Sequence, residues 1–505
     1  MKISDIKRII LYAYLVVILG LFPLYFRLDY VEMGEGKYNF FLYSSVAAFS
    51  MLLLATVVQF IFTAEQWNAL TGAVKMLDIS VMAYFVIVLL SYLFSPYKSY
   101  ITYGAYEWYM GLISQIIFFL CYLFMSREYE HRQWVLYVLY GVSGLVFLLG
   151  YLHRFYIDPL GLYTYLTTEQ KLQFLSTIGQ STWYSGYMCT VMPLGIYDYF
   201  AATGKRRLFM GFYVFIAAAT LVTQNSDTAY VALVGMLLVL LYKASRDRRD
   251  MLRFTEVCLI ILSAFKLTGL LQLAVGCIPE LDSLSISMSQ GALTWVLWAV
   301  VLGIYLYMKF KLTPKEGSCR WVFFVALLVV GLSVLLLLIL IILNTLGYIS
   351  PALEGEYFTW NASWGNNRGV EWTVGLVGYG AMPSLIHYLI GMGPDAFEPA
   401  TCSVEKCVDL LDTYLGDTRL TNAHNDFITT LVNEGAFGLI AYVSIFVNAL
   451  RAFLKQRKSC LTAGIAMCVA AYGLHNFFCY QNACNTPFFY ILLGMGANLA
   501  QKEEN

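Results

Sequence analysis

Fourteen stretches of this chain are apolar over roughly the 20 residues that a helix needs to cross a hydrocarbon core, and a soluble architecture could not bury so many. They run over residues 7–28, 40–62, 77–94, 108–125, 134–152, 183–202, 208–222, 229–243, 256–277, 290–308, 321–347, 427–450, 460–478 and 485–500. The run 321–347 is the plainest case, because no charged residue falls inside it. In lipid every backbone N–H and C=O must find its partner within the protein, so spans of this length are expected as helices. Composition bears on the same point. Charged residues make up 13% of the chain, against about 25% in soluble domains, and hydrophobic residues make up 59%. The 32 Lys+Arg balance the 32 Asp+Glu, which excludes a basic nucleic-acid binder and an acidic disordered tail. The expected fold is an all-α polytopic membrane protein with about fourteen transmembrane helices. The count falls to twelve if the link 223–228 is a break inside a polar pocket rather than a turn between spans.

Basic residues set the expected orientation. With the N-terminus in the cytoplasm, the inner segments hold 23 of the 32 Lys+Arg, among them Lys7, Lys75, Arg127, Lys243, Lys315, Arg451, Arg457, Lys458 and Lys502. Both termini are then cytoplasmic, and the hydrophilic segment 348–426 faces out. Residues 1–505 read as a single transmembrane domain carrying that one extracytoplasmic loop, with no internal repeat and no appended soluble domain. The first apolar run is long enough to span and lacks a small-residue cleavage site, so no cleavable signal peptide is expected. Within the loop, residues 367–390 are apolar enough for an amphipathic helix at the outer boundary. The 11 Cys include no zinc-spaced cluster. Two C-x4-C pairs, Cys402 with Cys407 and Cys479 with Cys484, land outside, where each is either bridged or left as free thiols.

Long loops in compact proteins usually carry function, and this one ends in Thr421-Asn422-Ala423-His424-Asn425-Asp426-Phe427. His424 lies at a helix N-terminus, where unpaired N–H groups attract anions and an imidazole can move a proton near neutral pH. The plainer reading is a capping segment with Asn422 as the cap. Glu434, inside the following span, is costly there unless partnered or facing water, and reads as a group holding helices together. Arg368 and Trp372 are four residues apart and share a helix face. Arginine suits bidentate phosphate binding, although a single exposed Arg is more often merely solvated. Gly391-Met392-Gly393-Pro394 is a tight turn without a nucleotide-binding context. His387 and His475-Asn476 are either acceptor-channel groups or boundary residues.

Taken in order, Arg368-x-x-x-Trp372, Gly391-x-Gly393-x-x-x-Phe397, His424-Asn425 and Glu434-Gly435-x-x-Gly438-Leu439 resemble the O-antigen ligase/O-antigen polymerase superfamily, over about 80 residues. The segment Gly179-Gln180-Ser181-Thr182-Trp183 is loosely similar to a further motif of that family. The resemblance implies a glycosyltransferase type C-like fold in the cytoplasmic membrane. Such enzymes move a glycan from an undecaprenyl-diphosphate carrier to a glycan, lipid or wall acceptor hydroxyl on the outer face, inverting the anomeric centre without metal or cofactor. Carried over residue by residue, Arg368 would stabilise the diphosphate leaving group and His424 would deprotonate or orient the acceptor hydroxyl. Trp372, Asn425 and Gln180 would bind substrate. Where the family carries Thr-Gln-Ser-Arg-Gly, this chain reads Thr223-Gln224-Asn225-Ser226-Asp227-Thr228, so a second cation is missing. Arg154 and Arg419, both external, are its candidate replacements. Two rival readings stand beside this one: a polysaccharide flippase or other transporter, and a noncatalytic assembly subunit.

Overall fold

The computed structural model describes residues 2–62, 75–277, 281–311, 317–350, 353, 355, 357–456 and 460–504. Lys315, Arg457 and Lys458, counted above on the inner side, lie outside the described residues. A helix occupies each apolar stretch. In chain order these are α1 Ile3–Leu24, α2 Met33–Phe62, α3 Met76–Phe94, α4 Leu112–Glu128, α5 Gln133–Arg154, α6 Ser181–Ala201, α7 Gly204–Leu221, α8 Thr228–Ala244, α9 Arg248–Val275, α10 Ala292–Phe310 and α11 Arg320–Thr345. Four helices follow within the hydrophilic segment: α12 Trp364–Gly380, α13 Leu385–Ile390, α14 Phe397–Cys402 and α15 Glu405–Leu415. The chain closes with α16 Asp426–Lys455, α17 Cys460–Asn476 and α18 Thr486–Glu504. A minimal antiparallel hairpin, β1 Phe174–Leu175 with β2 Gly179–Gln180, pairs Phe174 opposite Gln180 just before α6.

Among the described residues eight helices are both long and apolar enough to cross a membrane: α1, α2, α3, α5, α9, α10, α11 and α16. Of the others, α4, α8 and α17 are each only 17 residues long, whereas α6, at 21 residues, is long enough and owes its lower hydropathy to position. Along α6 the run from Tyr184 to Ile196 is buried without a break, and α6 packs closely on α17. A helix wrapped in protein has no lipid to face, so small and polar residues are tolerated there and allow close approach. At the opposite extreme α10 and α11 bury only 6% of their apolar windows and hang on the outside of the bundle, against α9 and α8 respectively.

The two ends of the bundle differ in chemistry. Lys7 pairs with Glu128, Arg127 with Asp78 at 3.3 Å, and Lys502 Nζ donates to Tyr129 O at 2.9 Å. Lys243 Nζ donates to Gln456 O at 2.9 Å, just past the last turn of α16. These basic groups, with the start of α1 and the end of α18, share one end. The hydrophilic segment, the start of α16 and the end of α17 share the other.

At that second end the single amphipathic helix expected over 367–390 is divided into α12 and α13. Pro383 is the reason: it disfavours helical geometry at Met382 and cannot donate to the ladder. The segment also has a core separate from that of the bundle, in which Val370, Val374, Phe397, Cys407 and Leu411 are buried together with Val432 of α16. The segment is thus a small folded cap. It docks on a break in α16, where Gly435 adopts φ 71°, ψ −171°. Met392 N donates to Val432 O (3.1 Å) and Gly393 N to Asn433 O (2.8 Å), so the Gly391–Gly393 turn satisfies carbonyls that the broken helix leaves open.

Neither C-x4-C pair is bridged; all four thiols are free. Cys407 Sγ donates to Val374 O at 3.5 Å, and Cys479 points at Thr228 Oγ1, 3.7 Å away.

Candidate functional site

Helix α12 becomes regular only at Arg368. The three residues before it, Gly365, Asn366 and Asn367, all have left-handed φ (58°, 62° and 68°), which turns the chain sharply and leaves the Gly365 carbonyl facing the arginine. Arg368 Nη1 donates to Gly365 O (2.6 Å) and Nε to Phe478 O (3.0 Å). Two hydrogen bonds to fixed carbonyls hold the guanidinium plane in place. It lies on the wall of a cavity of about 540 Å³, whose other lining includes Asp227, Thr228, Tyr357, Trp364 and, from the outlying α11, Leu337. That volume is ordinary for a small-molecule or cofactor site. The start of α8 also borders the cavity, with its N-terminal N–H groups. On the same wall Tyr357 donates to Asp227 Oδ2 at 2.5 Å.

One turn along α12 from Arg368 is Glu371, buried to 7% exposure. Its Oε1 lies 3.1 Å from His424 Nδ1, close enough for a charge contact but off the axis of a hydrogen bond, and its Oε2 has no hydrogen-bond partner among the described residues. His424 has a left-handed φ of 45°, held by an Asx turn in which His424 N donates to Asn422 Oδ1 at 2.9 Å. The helix cap is Asn425 and not Asn422 as expected: Asn425 Oδ1 accepts from Phe427 N and Ile428 N, both at 3.0 Å. Asn422 is displaced from that role because its side chain is spent one turn earlier. The His424 ring meets Tyr480 edge-on, 5.0 Å between centroids, and Tyr480 in turn donates to Gln180 Oε1 at 3.3 Å.

Four of the residues singled out from sequence therefore converge on one short segment, residues 478–480. Arg368 and Gln180 bond to it, His424 packs on it, and Trp372 stacks on Phe478 at 6.0 Å, within a cluster that includes Trp360 and Trp364. The other three do not join them: Asn425, 2% exposed, has its Oδ1 taken up as the cap of α16. Arg154 is buried beside Thr223 and Tyr163 in a separate small cavity, its Nε donating to Gln272 Oε1 at 2.8 Å. Arg419 is paired at 3.0 Å with Asp412 on α15. Neither borders the cavity that holds Arg368.

Glu371, Tyr357 and Tyr480 were not singled out from sequence. Their partners are distant in the chain, and only Glu371 left a trace, in the one-turn spacing from Arg368. Glu434 also departs from expectation. No hydrogen bond from a described residue reaches its carboxylate, and it lines a narrow cavity of about 30 Å³ with Asp395, Asp426, Asn433 and Gln481. Asp426 in that cavity is satisfied by Tyr442 Oη (2.5 Å) and Asn476 Nδ2 (3.3 Å). Beneath Arg368, His475 is hydrogen-bonded to Ser185 Oγ at 2.8 Å. Burial would raise the Cys479 thiol, but His475 and Arg368 outweigh it and bring it down to about 7. His387 stays within α13, bonded to Ser384 Oγ at 2.8 Å. No family model matches this chain, and no curated protein matches it significantly.

Proposed function

We propose that this chain is a membrane glycosyltransferase of the O-antigen ligase or polysaccharide polymerase type, acting in assembly of a cell-surface polysaccharide. On this reading all fourteen helices span the cytoplasmic membrane, both termini are cytoplasmic, and the cap of α12–α15 lies on the outer face. The observation that carries it is the placement of two complementary groups on consecutive turns of α12. Arg368 faces a cavity of about 540 Å³, and Glu371 faces His424 at 3.1 Å.

The donor is an undecaprenyl-diphosphate-linked glycan. Its diphosphate lies against Arg368 and the N-terminal N–H groups of α8, and its tail leaves the cavity past Leu337 into lipid. The acceptor hydroxyl attacks the anomeric carbon, the bond from that carbon to the diphosphate oxygen breaks, and undecaprenyl diphosphate departs with the electron pair. The acceptor proton goes to His424, whose developing positive charge Glu371 stabilises. Arg368 lowers the barrier by holding charge that grows on the leaving group. No metal takes part in this scheme. Asp227, in the segment 223–228 where the family carries its second cation, lies on the same wall and accepts a hydrogen bond from Tyr357.

One observation favours the transporter reading instead: α16 is broken beside buried carboxylates, as in helices that bind ions at a break. A deletion strain complemented with wild type, His424→Ala or Arg368→Ala separates the two. Single repeat units on the carrier at the outer face, cleared by wild type but by neither variant, support the transferase. Units trapped on the inner face point to a flippase. Full rescue by His424→Ala removes that residue from the mechanism.

A further inference from the structure

The connection between α3 and α4 is held more tightly than a turn of its length requires. One buried carboxylate, Asp395 from the cap, accepts from both Ala105 N (2.8 Å) and Met110 N (3.1 Å), closing residues 105–110 into a loop. Inside it Glu107 and Tyr109 have left-handed φ of 70° and 51°, a conformation that residues with large side chains adopt only when their surroundings impose it. Trp108 stands between them. Strain of this kind collects at binding and active sites, and what it presents here is a half-buried indole.

That indole is turned toward the candidate site. Its ring meets Tyr480 at nearly a right angle, with 4.6 Å between centroids, and Tyr480 is the ring on which His424 packs. A second near-perpendicular contact, 5.9 Å to Trp183 at the start of α6, fixes the indole in place. One ring therefore separates Trp108 from the imidazole. Beyond it the same connection carries exposed rings, Tyr106 at 68% and Tyr103 at 55%, while Tyr109 stacks on Tyr38 at 4.3 Å. Carboxylates lie among these rings. Tyr106 Oη donates to Glu35 Oε2 at 3.5 Å, and Glu35, with Glu107 adding to it, holds that phenol above its ordinary value.

Rings alone at the end of a membrane bundle would belong to an aromatic belt in the lipid boundary. The carboxylates argue against that use, because lipid phosphates repel them and acyl chains strip them of water. A sugar suits both kinds of group. Its C–H face packs on an indole or phenol, and its hydroxyls donate to carboxylates. We propose that Trp108 and Tyr106 form the platform for the acceptor, whose terminal sugar stacks on the indole and donates hydroxyls to Glu107 and Glu35 while its attacking oxygen reaches His424. This rests on the transfer reaction proposed above, and it makes the acceptor a glycan chain rather than a bare lipid or a protein side chain.

Oligosaccharides released by mild acid from the producing strain's own surface polysaccharide are the probe, with the full chain in nanodiscs. In a His424→Ala background, where turnover cannot interfere, titration followed by saturation-transfer NMR should show binding about tenfold weaker after Trp108→Ala, the size of one ring contact, and within about threefold after Trp108→Phe. In the active protein Trp108→Ala should raise the acceptor KM about tenfold and leave kcat and the donor KM within about twofold, the mark of binding lost equally from ground and transition states. Tyr165→Ala, a ring 79% exposed on the connection between α5 and α6, should behave as wild type. Transfer by wild type with an acceptor KM that Trp108→Ala leaves unchanged overturns the proposal and keeps the transferase. Oligosaccharide binding that survives Trp108→Ala overturns it as well. Binding that needs Trp108, without transfer by wild type, supports the sugar platform and removes the transferase.

Discussion

Replacing Asp395 by Asn should stabilise the protein at pH 8 and leave it unchanged near pH 4. Asp395 lies in the turn that docks on the broken α16, buried to 7% exposure with φ 64°, a conformation that Asn also tolerates. Its Oδ2 accepts from Ala105 N (2.8 Å) and Met110 N (3.1 Å), tying the cap to the connection between α3 and α4. Burial pushes the carboxyl up from 3.8 to about 6, with the two backbone N–H groups pulling the other way and Glu398 adding to the rise. A group that holds its proton more tightly when folded contributes fully to stability below the unfolded value. That contribution is lost as pH rises through the folded value. At 1.36 kcal/mol per pH unit the loss is about 3 kcal/mol above pH 7. Asn keeps an acceptor oxygen for both N–H groups and cannot ionise, so it escapes the loss. Asp395→Ala leaves both donors unpaired and should cost about 1–3 kcal/mol for each at every pH. Apparent Tm in detergent micelles, scanned from pH 4 to 8, reads all three proteins, and Glu398, Asp426 and Glu434 are common to them. An Asn variant less stable than wild type at pH 8, or an advantage that does not vary with pH, would refute the reasoning.

Gly435→Ala should cost about 3 kcal/mol or more, because a Cβ there would stand 2.5 Å from Ile390 N and Gly391 N. Gly303→Ala, in open space on α10, should be neutral or mildly stabilising by Tm. If the proposed reaction is correct, Glu371→Gln should lower kcat roughly 10- to 100-fold with the donor KM little changed, measured as glycan transfer from purified lipid-linked donor. Arg419→Ala should transfer at wild-type rates, since its pairing with Asp412 is at the surface and worth at most about 1 kcal/mol.

The outlying helices were the most legible part of the fold. Nearly every side chain of α11 faces outward, so its sequence has to be apolar throughout. α6 and α17 declare themselves less strongly because their neighbours are protein, and there a tyrosine or serine costs nothing if it finds a partner. The breaks at Gly435 and at residues 365–367 depend on what docks against them, which no local pattern encodes. Within the candidate site Arg368, Trp372 and His424 could be picked out because helix spacing and terminus chemistry are local. Their meeting point at residues 478–480 could not be picked out, since it joins segments more than 50 residues apart. Arg154 and Arg419 show the same limit from the other side. Each is a cation near the right end of the molecule, and the distant partners Gln272 and Asp412 decide that neither turns toward the cavity.

Because Arg368 and Glu371 ride on one helix, the position of the guanidinium at the cavity and the contact between Glu371 and His424 cannot be adjusted separately by moving the backbone. A tilt of α12 that draws Arg368 away from the cavity also draws Glu371 from the imidazole. On the proposed reaction the helix would act as a coincidence lever, making both contacts together or neither. The packing of α12 on α14, α15 and α16 is its fulcrum, so substitutions in that distant seam should be felt at both contacts at once.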